Sequence, residues 1–193
     1  MQIFEVEGKK RTEAGKKYTK KIRKEGLVPC VLYGGEDNIM FEINEKSIKK
    51  LIYTDKVYII DLNLDGVNYK CIKKDSQFHP VTDNILHIDF LKISDDKKIK
   101  MYIPVKLNGF AKGVQAGGYL YQLKRYLHVS AFPKHLPDTI DLDITDLGLG
   151  KSLKIVDLAF ENLEFIEHKS EVIAMIKLTR AAMSKADAEK ETK

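Results

Sequence analysis

Only two cysteines, Cys30 and Cys71, occur in the chain, far apart and each inside an apolar run. No Cys-x-x-Cys pair and no metal-ligand spacing accompanies them, which argues against a redox couple, a zinc ribbon or a disulfide scaffold. They read as two buried thiols in a reducing compartment. Arginine is scarce as well: 4 of the 33 cationic side chains are arginine and 29 are lysine. No stretch approaches the roughly 18 apolar residues of a membrane-crossing helix. The first residues, MQIFEVEGKKR, lack the apolar segment of a signal peptide. A cytoplasmic chain with no membrane partner is expected.

Signatures of catalysis are also missing. The histidines His79, His87, His128, His135 and His168 form neither His-x-x-x-His nor His-Glu-x-x-His, so no zinc site is expected. Ser130, Ser152 and Ser170 lack the Gly-x-Ser-x-Gly elbow of a hydrolase. The glycine-rich loop Gly109–Gly118 lacks the Lys-Ser/Thr that a phosphate-binding loop needs after its last glycine. Gly150-Lys151-Ser152 has those letters, but Thr145 stands where the first glycine should be. Both read as turns. Asp141 and Asp143 share one face of a strand and read as a solvated pair. The chain is therefore expected to be no enzyme and to hold no metal or cofactor.

What remains is a core and an uneven charge. The 193 residues are 44% hydrophobic, enough for one or two domains, and carry a net charge of +5. Residues 1–35 hold nine Lys/Arg against four Asp/Glu, and the remaining 158 are balanced at 24 against 24. The whole excess is local, which suits a local anionic partner better than general adhesion. Its densest part follows Gly15, where Lys16, Lys17, Lys20, Lys21, Arg23 and Lys24 stand against Glu25 alone. At helical spacing Lys16, Thr19, Lys20 and Arg23 share a face, while Tyr18 and Ile22 fall opposite and would dock on a core. Gly26 would stop the helix. Two readings stay open: a phosphate-binding helix or a solvated lysine face.

The rest of the pattern is β-rich. Gln2–Glu7 alternates as a strand, Val28–Tyr33 and Asn38–Ile43 follow, and Asn44 would cap a short helix reaching about Tyr53. Asp65–Gly66 is a type I′ hairpin dipeptide, setting Leu64 against Val67, Leu62 against Tyr69, Ile60 against Cys71 and Asp61 against Lys70. That register makes Cys71 a core residue. Gln77–Leu91 reads as a turn followed by a strand. There His87 and Asp89 point together away from Leu86, Ile88 and Phe90, either with a role or as ordinary outward polar residues. Ser94–Lys98 is a polar break. Beyond it Ile99–Leu107 carries Pro104 and reads as an edge strand. Tyr119–Val129, Ile140–Ile144, Leu153–Leu158 and Val172–Leu178 complete an all-β second half. The expected class is mainly β with a few short helices. Its boundaries are an N-terminal domain over 1–93, a C-terminal β domain over 94–180 and a charged, flexible tail over 181–193.

Three ordered segments carry a resemblance. The first is Arg11-x-x-x-Gly15-Lys16 followed by Lys20-Lys21-Ile22-Arg23-Lys24-Glu25-Gly26-Leu27-Val28-Pro29 and Val31-Leu32-Tyr33-Gly34. The second is His79-Pro80-Val81-Thr82-Asp83 with Leu86-His87-Ile88-Asp89-Phe90. The third is Gly113-Val114 with Gly117-Gly118, Leu136-Pro137 and Asp143-Ile144-Thr145-x-Leu147-x-Leu149-Gly150-Lys151-Ser152-Leu153. Over about residues 1–180 the set resembles the bacterial ribosomal protein L-twenty-five family in its longer, two-domain Ctc (general stress protein) form.

The resemblance implies a β-barrel-like N-terminal domain that binds 5S ribosomal RNA at its minor groove, and an all-β C-terminal domain. It implies a structural component of the large ribosomal subunit, monomeric off the ribosome. Carried over residue by residue, the RNA contacts are Arg11, Lys16, Thr19, Lys20, Arg23, Tyr33, His87 and Asp89. Lys16, Lys20 and Arg23 would neutralise phosphates, and Thr19 and Tyr33 would bond sugar or phosphate. His87 and Asp89 would meet base edges or 2′-hydroxyls. Where the family commonly has consecutive arginines this chain has Lys20-Lys21, a point charge in place of a planar fork. An alternative is a stress-related interaction module whose C-terminal domain recruits a protein, motivated by the balanced charge beyond residue 35.

Overall fold

The computed structural model describes residues 2–35, 37–54, 56–160 and 162–179. The tail expected over 181–193 lies outside them. The described residues form two compact units. One runs to Ile99 and takes in Phe132–Lys134; the other comprises Lys100–Ala131 and continues from His135.

The first unit contains the strands β1 (Gln2–Lys10), β2 (Leu27–Tyr33), β3 (Ile39–Asn44), β4 (Tyr58–Leu64), β5 (Val67–Phe78) and β6 (Ile85–Lys92). Helix α1 (Lys16–Lys24) precedes β2, and α2 (Glu45–Ile52) precedes β4. The strands close into a barrel in the order β1-β3-β2-β6-β5-β4. Among the described residues, each strand of this unit has a paired neighbour on both sides. The β4–β5 hairpin has the register expected of its turn, with Leu64 opposite Val67 and Ile60 opposite Cys71. Asp65 and Gly66 both take positive φ, 52° and 88°, as a type I′ turn demands. Asn63 fastens the turn, its Oδ1 accepting from Gly66 N–H at 3.0 Å and its Nδ2 donating to Asn68 at 2.8 Å.

Alternation fills the barrel: Ile60, Leu62 and Leu64 face inward and are fully buried, and Phe41 packs against Phe90 with ring centroids 5.6 Å apart. Asn44 caps α2 through Oδ1, which accepts from Lys46 N–H at 3.0 Å. Ile48, Leu51 and Ile52 are the buried residues of that helix. Cys30 and Cys71 are free and buried in this core. Burial pushes the Cys30 thiol up and the Cys71 thiol up to about 12, so neither is a thiolate at neutral pH.

The second unit contains β7 (Ile99–Asn108) from Lys100 on, a short helix α3 (Lys112–Gln115), and the strands β8 (Tyr119–Gln122), β9 (Tyr126–Ala131), β10 (Ile140–Asp143), β11 (Ser152–Lys154), β12 (Glu164–Phe165) and β13 (Val172–Lys177). They form one sheet in the order β10-β7-β9-β12 and another in the order β11-β13-β8.

Several expectations change here. The Pro104 strand is interior rather than an edge, lying between β10 and β9. Val105 N–H donates to Arg125 O at 2.8 Å, on the β9 side. Because successive N–H groups alternate sides, the donor that Pro104 lacks would face β10, whose pairing starts only at Val105 opposite Ile140. The stretch Tyr119–Val129 is two strands in different sheets. The chain breaks where Leu123 and Lys124 N–H both donate to Ile173 O, at 2.8 and 3.1 Å. The glycine loop 109–118 contains α3, and Leu153–Leu158 is a short strand followed by a 3-10 turn at Ile155–Asp157. In the first unit β5 continues through Gln77 and Phe78, where the sequence pattern suggests the start of a turn.

Leu62→Ala should lower the unfolding free energy by about 2–5 kcal/mol, because a closed barrel cannot collapse around the void. Asn44→Ala should cost about 1 kcal/mol through loss of the cap. Urea unfolding followed by circular dichroism checks both, and equal effects would contradict this assignment of core and cap.

Candidate nucleic-acid interface

Helix α1 is poorly able to support itself. Six of its nine residues are cationic, its first turn has no acid, and Gly15 gives no side-chain cap. Lys16 and Lys17 sit at the positive end of the helix dipole, an unfavourable position, while Lys21, Arg23 and Lys24 sit favourably in the last turn. Nine residues are too few for a stable helix in water. Gly15, at φ 110° and ψ 167°, enters the helix through a region that is essentially glycine's alone.

Tertiary contacts supply what the helix lacks. Ile22 is 2% exposed, and its burial contributes about 1.5–3 kcal/mol. Tyr18 Oη donates to Glu42 Oε2 of β3 at 3.1 Å. Arg23 sets a fork on β6: Nε and Nη2 donate to the Leu86 carbonyl at 3.0 and 2.9 Å. The pairing of β2 with β6 begins at Cys30 opposite Ile88. Leu86 lies upstream of that ladder, and the arginine supplies donors there.

One residue beyond Leu86 the outward face of β6 begins. His87 Nδ1 and Asp89 Oδ1 are 2.7 Å apart. With Nδ1–H donated to the carboxylate, the ring's other nitrogen, Nε2, is left for an outside partner. Asp75 of β5 stands in register with Asp89, and Gln77 with His87. On the other side Val31 of β2 stands opposite Asp89, with Tyr33 two residues further along the same strand. Tyr33 is half-buried, and its phenol is held above the ordinary value by burial first, then by Asp89 and Asp75. The face thus sets a phenol beside two carboxylates, one of them held by an imidazole, next to a cationic helix.

The structure brings Arg23, His87, Asp89 and Tyr33 onto this β2–β6 seam. Lys16 and Lys20 are exposed on the helix. Thr19 is committed differently: its hydroxyl donates to the Gly15 and Lys16 carbonyls at 3.1 and 3.2 Å, leaving the oxygen only as an acceptor. Arg11 is half-buried at the end of β1; its backbone N–H donates to Met40 O at 3.0 Å, and Nη1 reaches Glu13 O at 3.5 Å. Its Nε is buried without a hydrogen-bond partner. Asp75 and Gln77 escape a reading of the sequence, because a register shift between Lys73 and Asp75 breaks strict alternation. The polar pair two residues apart is the available signal.

A closed barrel with a docked cationic helix, a neighbouring row of hydrogen-bonding side chains and a second, β-rich unit defines a class of small two-part β proteins with a basic helix on one barrel. Comparison narrows the class. Residues 6–90 match the Ribosomal L25p family, and residues 98–180 match the Ribosomal protein TL5, C-terminal domain. A large ribosomal subunit protein bL25 from Porphyromonas gingivalis is 43% identical over 188 residues, covering 96% of this chain and 98% of the relative. Those of Phocaeicola vulgatus and Bacteroides thetaiotaomicron are 44% identical over 193 residues, covering 96% and 97% of this chain and 98% of each relative. The chain belongs to the Ribosomal L25p family, in the two-domain form that carries the TL5 C-terminal domain. It is a structural protein and not an enzyme.

Because the folded state raises the Tyr33 phenol above its ordinary 10.0, the stability linked to it is complete below pH 10.0 and declines as pH rises through the folded value. Asp89→Asn should bring that titration down part of the way, the burial contribution remaining. Site-resolved ¹³Cζ titration of Tyr33 reads this, and an unmoved titration would remove Asp89 from its surroundings.

Proposed function

We propose that the protein is a structural component of the large ribosomal subunit, cytoplasmic and ribosome-associated, and that its first domain binds 5S rRNA. The reading takes 1–93 as the RNA-binding domain, 94–180 as a second β domain and 181–193 as a charged tail, and the protein as monomeric off the ribosome. The observation that carries it is the juxtaposition of helix α1 with the His87–Asp89 pair, tied together by Arg23. Phosphates need cations, and Lys16 and Lys20 supply them on the exposed helix face, with the charge of Arg23 behind them. The A-form minor groove is broad and shallow and offers 2′-hydroxyls and guanine amino groups, which need acceptors. Asp89 and the Thr19 oxygen are acceptors, His87 adds the ring nitrogen turned away from Asp89, and Tyr33 adds a phenol that donates or accepts. Arg11, at the foot of the helix, adds charge at the edge of the same surface. A purely cationic patch would attract any polyanion. Carboxylates set among the lysines penalise bare phosphate and favour a groove that presents donors.

Titration of the full chain with 5S rRNA across a salt series, with an unrelated structured RNA as competitor, tests this. Binding should survive the competitor and weaken steeply with salt. Lys16→Ala/Lys20→Ala should weaken it and lower the logarithmic salt slope by about one for each phosphate left without its lysine. Equal binding to both RNAs would reduce the surface to a general polyanion patch and overturn the reading.

A further inference from the structure

We infer that Arg23 is a positioning residue: its guanidinium fork on the Leu86 carbonyl sets helix α1 at a fixed place relative to His87 and Asp89. The inference rests on the 5S rRNA reading for its consequence in binding, but not for its geometry. Arg23 lies on the helix face that also carries Lys16, Thr19 and Lys20, and its charge alone would class it as another phosphate contact. The structure gives it different work. Two of its five N–H donors, on Nε and Nη2, converge on one backbone oxygen at 3.0 and 2.9 Å. Both atoms belong to the rigid guanidinium plane, so the contact fixes direction as well as distance. A lysine cannot reproduce this, since an ammonium carries its charge on one rotatable centre.

The acceptor matters equally. It is the carbonyl of the residue directly before His87, upstream of the first β2–β6 pair at Ile88. Among the described residues, Ile22 holds the middle of the helix by burial and Tyr18 ties its first half to Glu42 of β3. Apolar burial is non-directional, and the Tyr18 bond ends on a different strand. The fork therefore joins the helix directly to the strand that bears the His87–Asp89 pair. It also ends on a neutral oxygen and leaves the Asp89 carboxylate to His87. Arg23 thus holds cation and acceptor elements side by side without an ion pair between itself and Asp89.

The test uses the full chain with Arg23→Lys, which keeps the charge and loses the fork. 5S rRNA affinity should fall about tenfold while the salt slope stays at the wild-type value. In a double-mutant cycle with Asp89→Asn the two losses should be non-additive, because the fork acts through the strand that carries Asp89. Additive losses or unchanged affinity would overturn the inference, and so would an Arg23→Ala variant whose salt slope falls by about one, since that would make Arg23 a direct phosphate ligand. Hydrogen exchange on the RNA-free protein gives the independent readout. Arg23→Lys should speed exchange of the α1 amides while the amides of β4 and β5 keep wild-type protection; unchanged α1 exchange also overturns it. A wild-type protein that ignored 5S rRNA would sink the functional reading, and the exchange experiment would still decide whether Arg23 positions the helix.

Discussion

The docking of a nine-residue, six-cation helix on the barrel is the constraint on which the candidate surface depends. Such a helix repels itself, begins without a side-chain cap and is too short to persist alone. It exists because the barrel offers a recess for Ile22, an acceptor for Tyr18 and a strand carbonyl for Arg23. Barrel closure makes those offers fixed ones. Strands β2, β3 and β6 are neighbours in a closed ring, so the three anchors cannot drift apart.

That arrangement explains how opposite chemistry coexists over a short span. Cations come from a helix that precedes β2, and acceptors come from β6, paired in parallel with β2. Elsewhere cations are held by carboxylates: Lys124 lies 3.1 Å from Glu167 and 2.7 Å from Glu171, and Lys112 lies 2.6 Å from Asp146. Both lysines are in the second unit, and these partners raise the pKa of each. At the seam Arg23 instead binds a neutral carbonyl. A backbone acceptor lets cations and carboxylates lie side by side at this seam without cancelling.

Legibility in the sequence followed the range of the interaction. The Asp65–Gly66 turn, the Asn44 cap, the inward Ile22 and the outward His87 and Asp89 each depend on neighbours within a few residues, and each was readable. Pro104 misled because the rule against proline in a central strand concerns the missing donor, and that donor faces the side where β10 has not begun to pair. The run Tyr119–Val129 misled because alternation cannot show that a chain changes sheets, here where two N–H groups turn to Ile173. Asp75 and Gln77 hid behind a register shift that only the β5–β6 pairing reveals.

By itself the sequence determined a β-rich chain in two parts, a local cationic excess, a helix with one apolar and one charged face, and a set of ordered motifs specific enough to name a family. Those properties come from periodicity, local backbone preference and charge count, all of which act along the chain. Tertiary structure alone decided that Arg23 grips Leu86, sixty-three residues away, that Asp75 faces Asp89, and that Thr19 spends its proton on its own helix. Hydrogen bonds are directional and short. Which donor meets which acceptor across distant segments is set only when barrel closure brings the strands into register.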